Sequence, residues 1–206
     1  MTKMDLLIAT HNRGKLLELN ELMRDFSFNL RDLSSFDFVK TVAETGETFA
    51  ENASLKAAGY ARQTQVITLA DDSGLEVDAL AGAPGVRSAR YAGDDASDAE
   101  RTGKLLAALS GIEESRRTAR FVSAIAIANP DGHILNVSIG VCDGRIAGAP
   151  RGSGGFGYDP IFVPNGYDQT FGELHSFVKN KISHRSRALR QVADFLRSLT
   201  VASAAG

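Results

Sequence analysis

The chain has 206 residues, 43% hydrophobic and 23% charged, with a formal net charge of -2. That length can bury a real core, as one domain or two closely packed lobes. The ordinary composition and near-neutral charge argue against a general nucleic-acid or membrane surface, while leaving room for a local basic pocket.

The single cysteine, Cys142, excludes an internal disulfide and lies in an apolar strand pattern, so a buried thiol under reducing, cytoplasmic conditions is expected. No apolar run approaches membrane-spanning length, and the short run after Lys3 lacks the flanks of a signal peptide.

Asp5 to Ala9 reads as a short apolar strand, followed by the polar turn Thr10-His11-Asn12-Arg13-Gly14-Lys15. Leu16, Leu19, Leu22, Met23 and Phe26 then fall on one face of a helix. A turn of this kind presents free N–H groups and the positive end of the helix dipole, to which Lys15 adds a full charge. It suits an anion; a capped helix start with a solvated lysine fits the same residues. It is not a P-loop, since the long glycine-spaced loop and Lys-Ser/Thr pair are missing.

A second strand is expected around Leu30 to Leu33. The polar stretch Glu44-Thr45-Gly46-Glu47-Thr48 then leads into a helix with Phe49, Ala53, Ala57 and Tyr60 on one face and Glu51 and Lys56 outside. Next comes the β-branched run Val66 to Ala70, ending in Asp71-Asp72-Ser73-Gly74. Adjacent carboxylates repel unless a cation or donors offset them, and strand alternation lets only one of them face a given ligand. The alternative is a solvated turn. Two strand–helix–strand passes indicate an α/β layer with at least part of the sheet parallel.

Leu75 to Leu80 reads as a further short strand, and Gly82 to Tyr91 as a loop carrying Arg87 and Arg90. A helix is expected from Asp98 to Leu109, started by Ser97. Phe121 to Ala128, the turn Asn129-Pro130-Asp131-Gly132 and the alternating Leu135 to Val141 form a hairpin that makes or extends a second lobe. Gly152-Ser153-Gly154-Gly155-Phe156-Gly157 matches the dinucleotide glycine pattern only formally. Pro150 precedes it, and Tyr158-Asp159-Pro160 leads into the strand Ile161 to Val163 instead of a helix. What remains is a glycine-rich loop presenting Phe156, Tyr158 and Asp159. Lys179 to Arg185 leads into a last helix, with Ser183 as its cap. His11, His133 and His175 share no spacing that suggests a metal.

Taken together, Thr10 to Lys15, Ala70 to Gly74, Gly154 to Pro160 and Ser183-His184-Arg185 resemble the inosine/xanthosine triphosphate pyrophosphatases, the Ham1-like family of noncanonical purine NTP pyrophosphatases. The resemblance runs from about Asp5 to about Leu199 in the family's order. It implies an elongated mixed β-sheet with flanking helices, α/β in class, as a single domain with two lobes around a central nucleotide cleft. It further implies an Mg²⁺-dependent hydrolase that converts ITP, dITP and XTP to monophosphate and pyrophosphate, as a cytoplasmic homodimer.

By the same resemblance, Thr10, His11, Asn12, Arg13, Gly14 and Lys15 hold the triphosphate. Asp72 is the metal-linked acid and proton acceptor, and Ser73 contacts substrate. Phe156, Gly157, Tyr158 and Asp159, with Lys179, His184 and Arg185, form the base and sugar pocket. Asp71 is expected to be structural. Where many relatives carry a metal-binding glutamate this chain has Ala43, followed by Glu44. Either Glu44 takes over the cation, or the metal relies on Asp72, phosphates and water. Phe156 offers a stacking face to the base, and Arg185, a pure donor, suits a 6-keto purine over adenine. Two other readings are a Maf-like pyrophosphatase acting on pyrimidine or modified nucleotides, and a nucleotide-binding module without catalysis.

Overall fold

Strand β1 (Met4–Ala9) is apolar at consecutive positions, and Leu6, Leu7, Ile8 and Ala9 are fully buried, as in a strand covered on both faces. It pairs in parallel with β2 (Phe28–Asp32) on one side and with β3 (Thr68–Val77) on the other. The computed structural model that shows this describes residues 3–204, with side chains described through residue 200.

Helix α1 (Arg13–Leu22) starts where Asn12 caps it, its side chain accepting the Lys15 N–H at 3.0 Å. Helix α2 (Phe49–Thr64) opens with a capping box between Thr48 and Glu51. Helix α3 (Asp98–Ala108) has another, between Ser97 and Glu100. Strands β4 (Thr118–Ala128), β5 (Ile134–Ile146) and β6 (Phe162–Pro164) complete a six-stranded sheet of order β2-β1-β3-β4-β5-β6. β6 runs antiparallel to β5, so the sheet is mixed and the chain is α/β with flanking helices. Gly144 permits that last pairing, since a Cβ there would lie 2.3 Å from the Val163 carbonyl. Helices α4 (Ser176–Ile182) and α5 (His184–Ala204) close the chain.

The chain divides into two compact units. The first holds everything up to Asp72, the segment Ser123–Gly140, and the chain from Arg185 onward. Its core joins Leu6, Ile8 and Leu69 to Leu19 of α1, to Met23 just after it and to Leu189, Val192 and Leu196 of α5. The second unit holds Ser73–Val122 and Val141–His184. Its core gathers Leu75, Leu105, Phe121, Cys142, Tyr158, Phe162 and Phe171, with Cys142 buried as expected.

Several expectations need correction. Asp71-Asp72-Ser73-Gly74 does not end a strand. β3 continues through it to Val77, because Leu75 and Val77 keep the buried alternation, and only Asp78–Leu80 turns away as a short 3-10 helix. The hairpin is real but longer than its apolar run, and it does not build the second lobe alone: Ser123–Gly140 belongs to the first unit and its base to the second. Gly85–Arg90 of the expected loop forms a 3-10 helix, with Arg87 and Arg90 exposed. Lys179 lies on α4, a helix of its own, while Ser183, extended at the end of α4, directly precedes α5 as the expected cap does. Among the described residues no helix is long and apolar enough to cross a membrane.

Candidate active site

Two clusters of site residues emerge, one in each unit. In the first unit, neighbouring positions of β3 send Asp71 and Asp72 to different surroundings. The Asp71 carboxylate is fully buried and meets Lys15 Nζ at 3.0 Å, Arg185 Nη2 at 3.3 Å and the Ser123 hydroxyl. Burial opposes its ionisation, but Arg185, Lys15 and the Ser123 hydrogen bond outweigh that and hold the carboxyl well below the usual range. Asp71 is therefore an anchor for two cations, in keeping with the structural role expected of it.

Asp72, 5% exposed, accepts from Lys56 Nζ at 2.8 Å through Oδ1. Its other oxygen, Oδ2, is buried and makes no hydrogen bond to any described residue. Lys56 also reaches Glu44 Oε1 at 3.2 Å. The charges order themselves accordingly. Burial raises the Asp72 pKa despite Lys56 and Lys15. Glu44 goes the other way: burial opposes ionisation, yet Lys56 brings its pKa down. Lys56 is pushed down by burial but held up by Asp72 and Glu44, and its pKa ends above the usual lysine value. Burial lowers the Lys15 pKa, with Asp71 pulling against it.

The Thr10–Lys15 turn sits in this unit too. Thr10 Oγ1 accepts the Asn12 N–H at 3.1 Å, and His11 Nε2 lies 3.0 Å from the Tyr60 hydroxyl. Arg13 is exposed, whereas Gly14 and Lys15 are half-buried.

Arg185 is held in the first unit by two carboxylates. It is 1% exposed, with Nη1 on Glu18 and Nη2 on Asp71, both carboxylates of the first unit. Burial disfavours its charge, but Asp71 and Glu18 hold its pKa above the ordinary value.

In the second unit Asp159 is the hub. Its Oδ2 accepts the Phe156 N–H at 2.8 Å and Lys179 Nζ at 2.5 Å. The Lys179 ammonium also lies 4.9 Å from the centre of the Phe156 ring, a cation–π contact. Gly157 adopts φ +60°, and its N–H reaches Asp98 Oδ2 at 2.6 Å. Phe156, Gly157, Asp159 and Lys179 are thus brought together as the sequence suggests. Tyr158 turns inward: it is buried in the core and its hydroxyl donates to the Ser88 carbonyl at 2.9 Å, with burial pushing its pKa up. His184 is buried and stacks on Phe121 at 4.7 Å and 13°. Ser73 is half-buried on β3.

Sequence reasoning missed Lys56, read as outward-facing, and did not single out Glu18. A signal existed for the first. Lys56 falls three residues after Ala53 and four before Tyr60, on the edge of the buried stripe, where a lysine needs a partner. Glu18 pairs with Arg185, 167 positions away, which no local pattern records.

The donor set fits a hard divalent cation. An oxygen of Asp72 lies buried without a hydrogen bond, and the Glu44 carboxylate shares the same ammonium. The Ala43 side chain can supply no ligand, and Glu44 beside it is the carboxylate that meets Lys56. Among the described residues no three His, Cys, Asp or Glu side chains group to hold a metal unaided. An ion such as Mg²⁺ keeps waters and takes substrate phosphates beside one or two carboxylates.

The sequence model of the Ham1 family matches residues 6–195. A dITP/XTP pyrophosphatase of Desulforamulus reducens is 47% identical over 198 residues, covering 96% of this chain and 98% of that one. The dITP/XTP pyrophosphatase of Bacillus subtilis is 45% identical over 93% of this chain and 96% of its own. Among solved structures, a HAM1 protein from Coxiella burnetii superposes with TM-score 0.84 at 44% identity, covering 95% of this chain and 99% of the other. With a match this long and relatives this similar end to end, the chain belongs to the Ham1 family.

Proposed function

We propose that this protein hydrolyses noncanonical purine nucleoside triphosphates (ITP, dITP and XTP) at the α–β phosphoanhydride bond, releasing a nucleoside monophosphate and pyrophosphate. The relatives' activity supports the reaction class, and the buried, unbonded Oδ2 of Asp72 beside Lys56 and Glu44 is the observation that carries the mechanism.

Cleaving this bond needs charge neutralisation, an aligned water and a base, with little covalent participation by the protein. Asp72 is the base: its buried carboxylate keeps one oxygen unbonded for the proton leaving the attacking water. Lys56 holds Oδ1 and so leaves Oδ2 for that proton. The Thr10–Lys15 turn holds the triphosphate with the N–H groups opening α1 and with the Lys15 charge, which Asp71 keeps in position. Asp72 and Glu44 would hold Mg²⁺, which when bound offsets phosphate charge and lowers the pKa of water.

Phe156 supplies a stacking face for the purine, and Lys179, fixed by Asp159, supplies a cation beside it. Gly157, Tyr158 and His184 shape that cluster, the last two from buried positions, and Ser73 contacts substrate from β3. Arg185 is held by Asp71 and Glu18, and its part in binding the base rests on the family resemblance alone. On the family resemblance we place the enzyme in the cytoplasm as a homodimer of single two-lobed domains.

The test is a steady-state panel of nucleoside triphosphates with Mg²⁺ and product identification. Pyrophosphate and monophosphate from ITP and XTP, well above those from ATP, GTP, UTP or dTTP, are expected. Preference for UTP or dTTP would transfer the protein to the Maf-like reading. Binding without turnover would make it a nucleotide-binding module.

A further inference from the structure

Residues 40–44 form neither helix nor strand, yet α2 grips every second one of them. Gln63 accepts the Lys40 N–H at 2.7 Å and donates to the Lys40 carbonyl at 3.0 Å. The Val42 N–H donates to the Tyr60 hydroxyl at 3.3 Å, and Lys56 donates to Glu44 at 3.2 Å. As the segment advances through Lys40, Val42 and Glu44, the helix recedes through Gln63, Tyr60 and Lys56. This is an extended strap laid antiparallel along one helical face. Gly59 sets how close it comes: a Cβ there would lie 2.7 Å from a Val42 methyl.

Tyr60 does more than its neighbours. It is 2% exposed, and the hydroxyl that accepts from Val42 also lies 3.0 Å from His11 Nε2, in the turn that opens α1. The rings of His11 and Tyr60 meet edge-on, with centroids 6.1 Å apart. A phenol both donates and accepts, so one buried group can serve both partners. Through it, the strap that ends in Glu44 is joined to the turn that runs to Lys15.

We propose that Tyr60 is a positioning residue whose hydroxyl holds the Glu44 strap in register with the Thr10–Lys15 turn, so that both are in place before substrate arrives. This rests on the pyrophosphohydrolase reading, but its physical core does not. Losing one such hydrogen bond should loosen the strap locally, without unfolding the helix beneath it.

Tyr60→Phe removes the hydroxyl and keeps the ring. In the ligand-free protein, Val42 amide exchange should quicken roughly 3- to 10-fold while the amides of β1 and β3 stay unchanged. In turnover, KM for ITP and XTP should rise by a similar roughly 3- to 10-fold, with kcat within about twofold. Gly59→Ala, which crowds Val42 with the hydroxyl intact, should give the same pair of changes. Unchanged Val42 exchange in Tyr60→Phe overturns the tether. Uniformly faster exchange across the core overturns it too, because that marks a purely structural role. Faster Val42 exchange with KM unmoved overturns the claim that the tether positions the site. If the unmodified protein releases no pyrophosphate from any purine triphosphate, the functional reading fails by itself, and the exchange measurement still decides the tether.

Discussion

The Lys56 ammonium lies 2.8 Å from Oδ1 of Asp72, sixteen residues on, and 3.2 Å from Oε1 of Glu44. One buried cation therefore holds two carboxylates that would otherwise repel each other. Replacing it by an apolar side chain of similar length removes the charge but little volume. Lys56→Met is expected to lower kcat for ITP by roughly 10²- to 10³-fold, the scale for losing one preorganised charged donor at a reacting centre. The assay is pyrophosphate release at saturating Mg²⁺. A loss smaller than about tenfold would make Lys56 a bystander.

Asp72 and Asp71 are neighbours with opposite duties, and the same substitution should separate them. Asp72→Asn leaves Oδ1 for Lys56 but removes the proton acceptor. Turnover should drop roughly 10²- to 10⁴-fold, with the unfolding midpoint in urea little changed. A variant retaining full kcat would eliminate Asp72 as the base.

Asp71→Asn should act on stability first. Arg185 and Lys15 would lose the carboxylate that faces them both, at a cost of roughly 3–5 kcal/mol for a broken buried pair. The pH dependence follows from the lowered Asp71 pKa. A carboxyl depressed in the folded state stabilises above its unfolded value of about 4, and that contribution is lost as the pH falls towards the folded value. The stability gap between the unmodified protein and Asp71→Asn should thus be full at neutral pH and shrink below about pH 4. Urea midpoints at several pH values read this directly, and a gap that widens on acidification contradicts it.

The contrast between these aspartates also shows what the sequence could and could not carry. The β1–turn–α1 unit was legible because apolar periodicity changes from a continuous run to helical spacing within a few residues of Thr10. The glycine-rich loop was legible as a non-Rossmann loop because Pro150 and Pro160 bracket it. Its hub was less so, because the bond from Lys179 to Asp159 spans twenty positions. The partners of Arg185 were hidden for the same reason: Asp71 lies 114 positions away and Glu18 lies 167 away, and no local pattern records a partner at that distance. β3 was cut short at Gly74 because Asp, Ser and Gly favour turns. The buried alternation of Leu75 and Val77 and the cations around both acids override that propensity.

Two glycines of the Phe156 loop offer a paired experiment, because both have positive φ and only one is crowded. At Gly155, φ +72°, a Cβ would lie 2.0 Å from Asp159 Oδ2, the atom that holds both Lys179 and the Phe156 N–H. At Gly157, φ +60°, nothing lies within 4 Å of the same added atom. Both alanine variants incur backbone strain of roughly 1–3 kcal/mol. Only Gly155→Ala must also displace the Asp159 carboxylate, and with it the cation beneath the Phe156 ring. Gly155→Ala is therefore expected to raise KM for ITP by about tenfold or more, the equivalent of about 1.4 kcal/mol in substrate binding, whereas Gly157→Ala should move KM less than about threefold. Stability and Michaelis measurements on the two variants side by side separate strain from displacement. Equal KM values would mean that the Asp159–Lys179 pair does not shape the face on which the purine stacks.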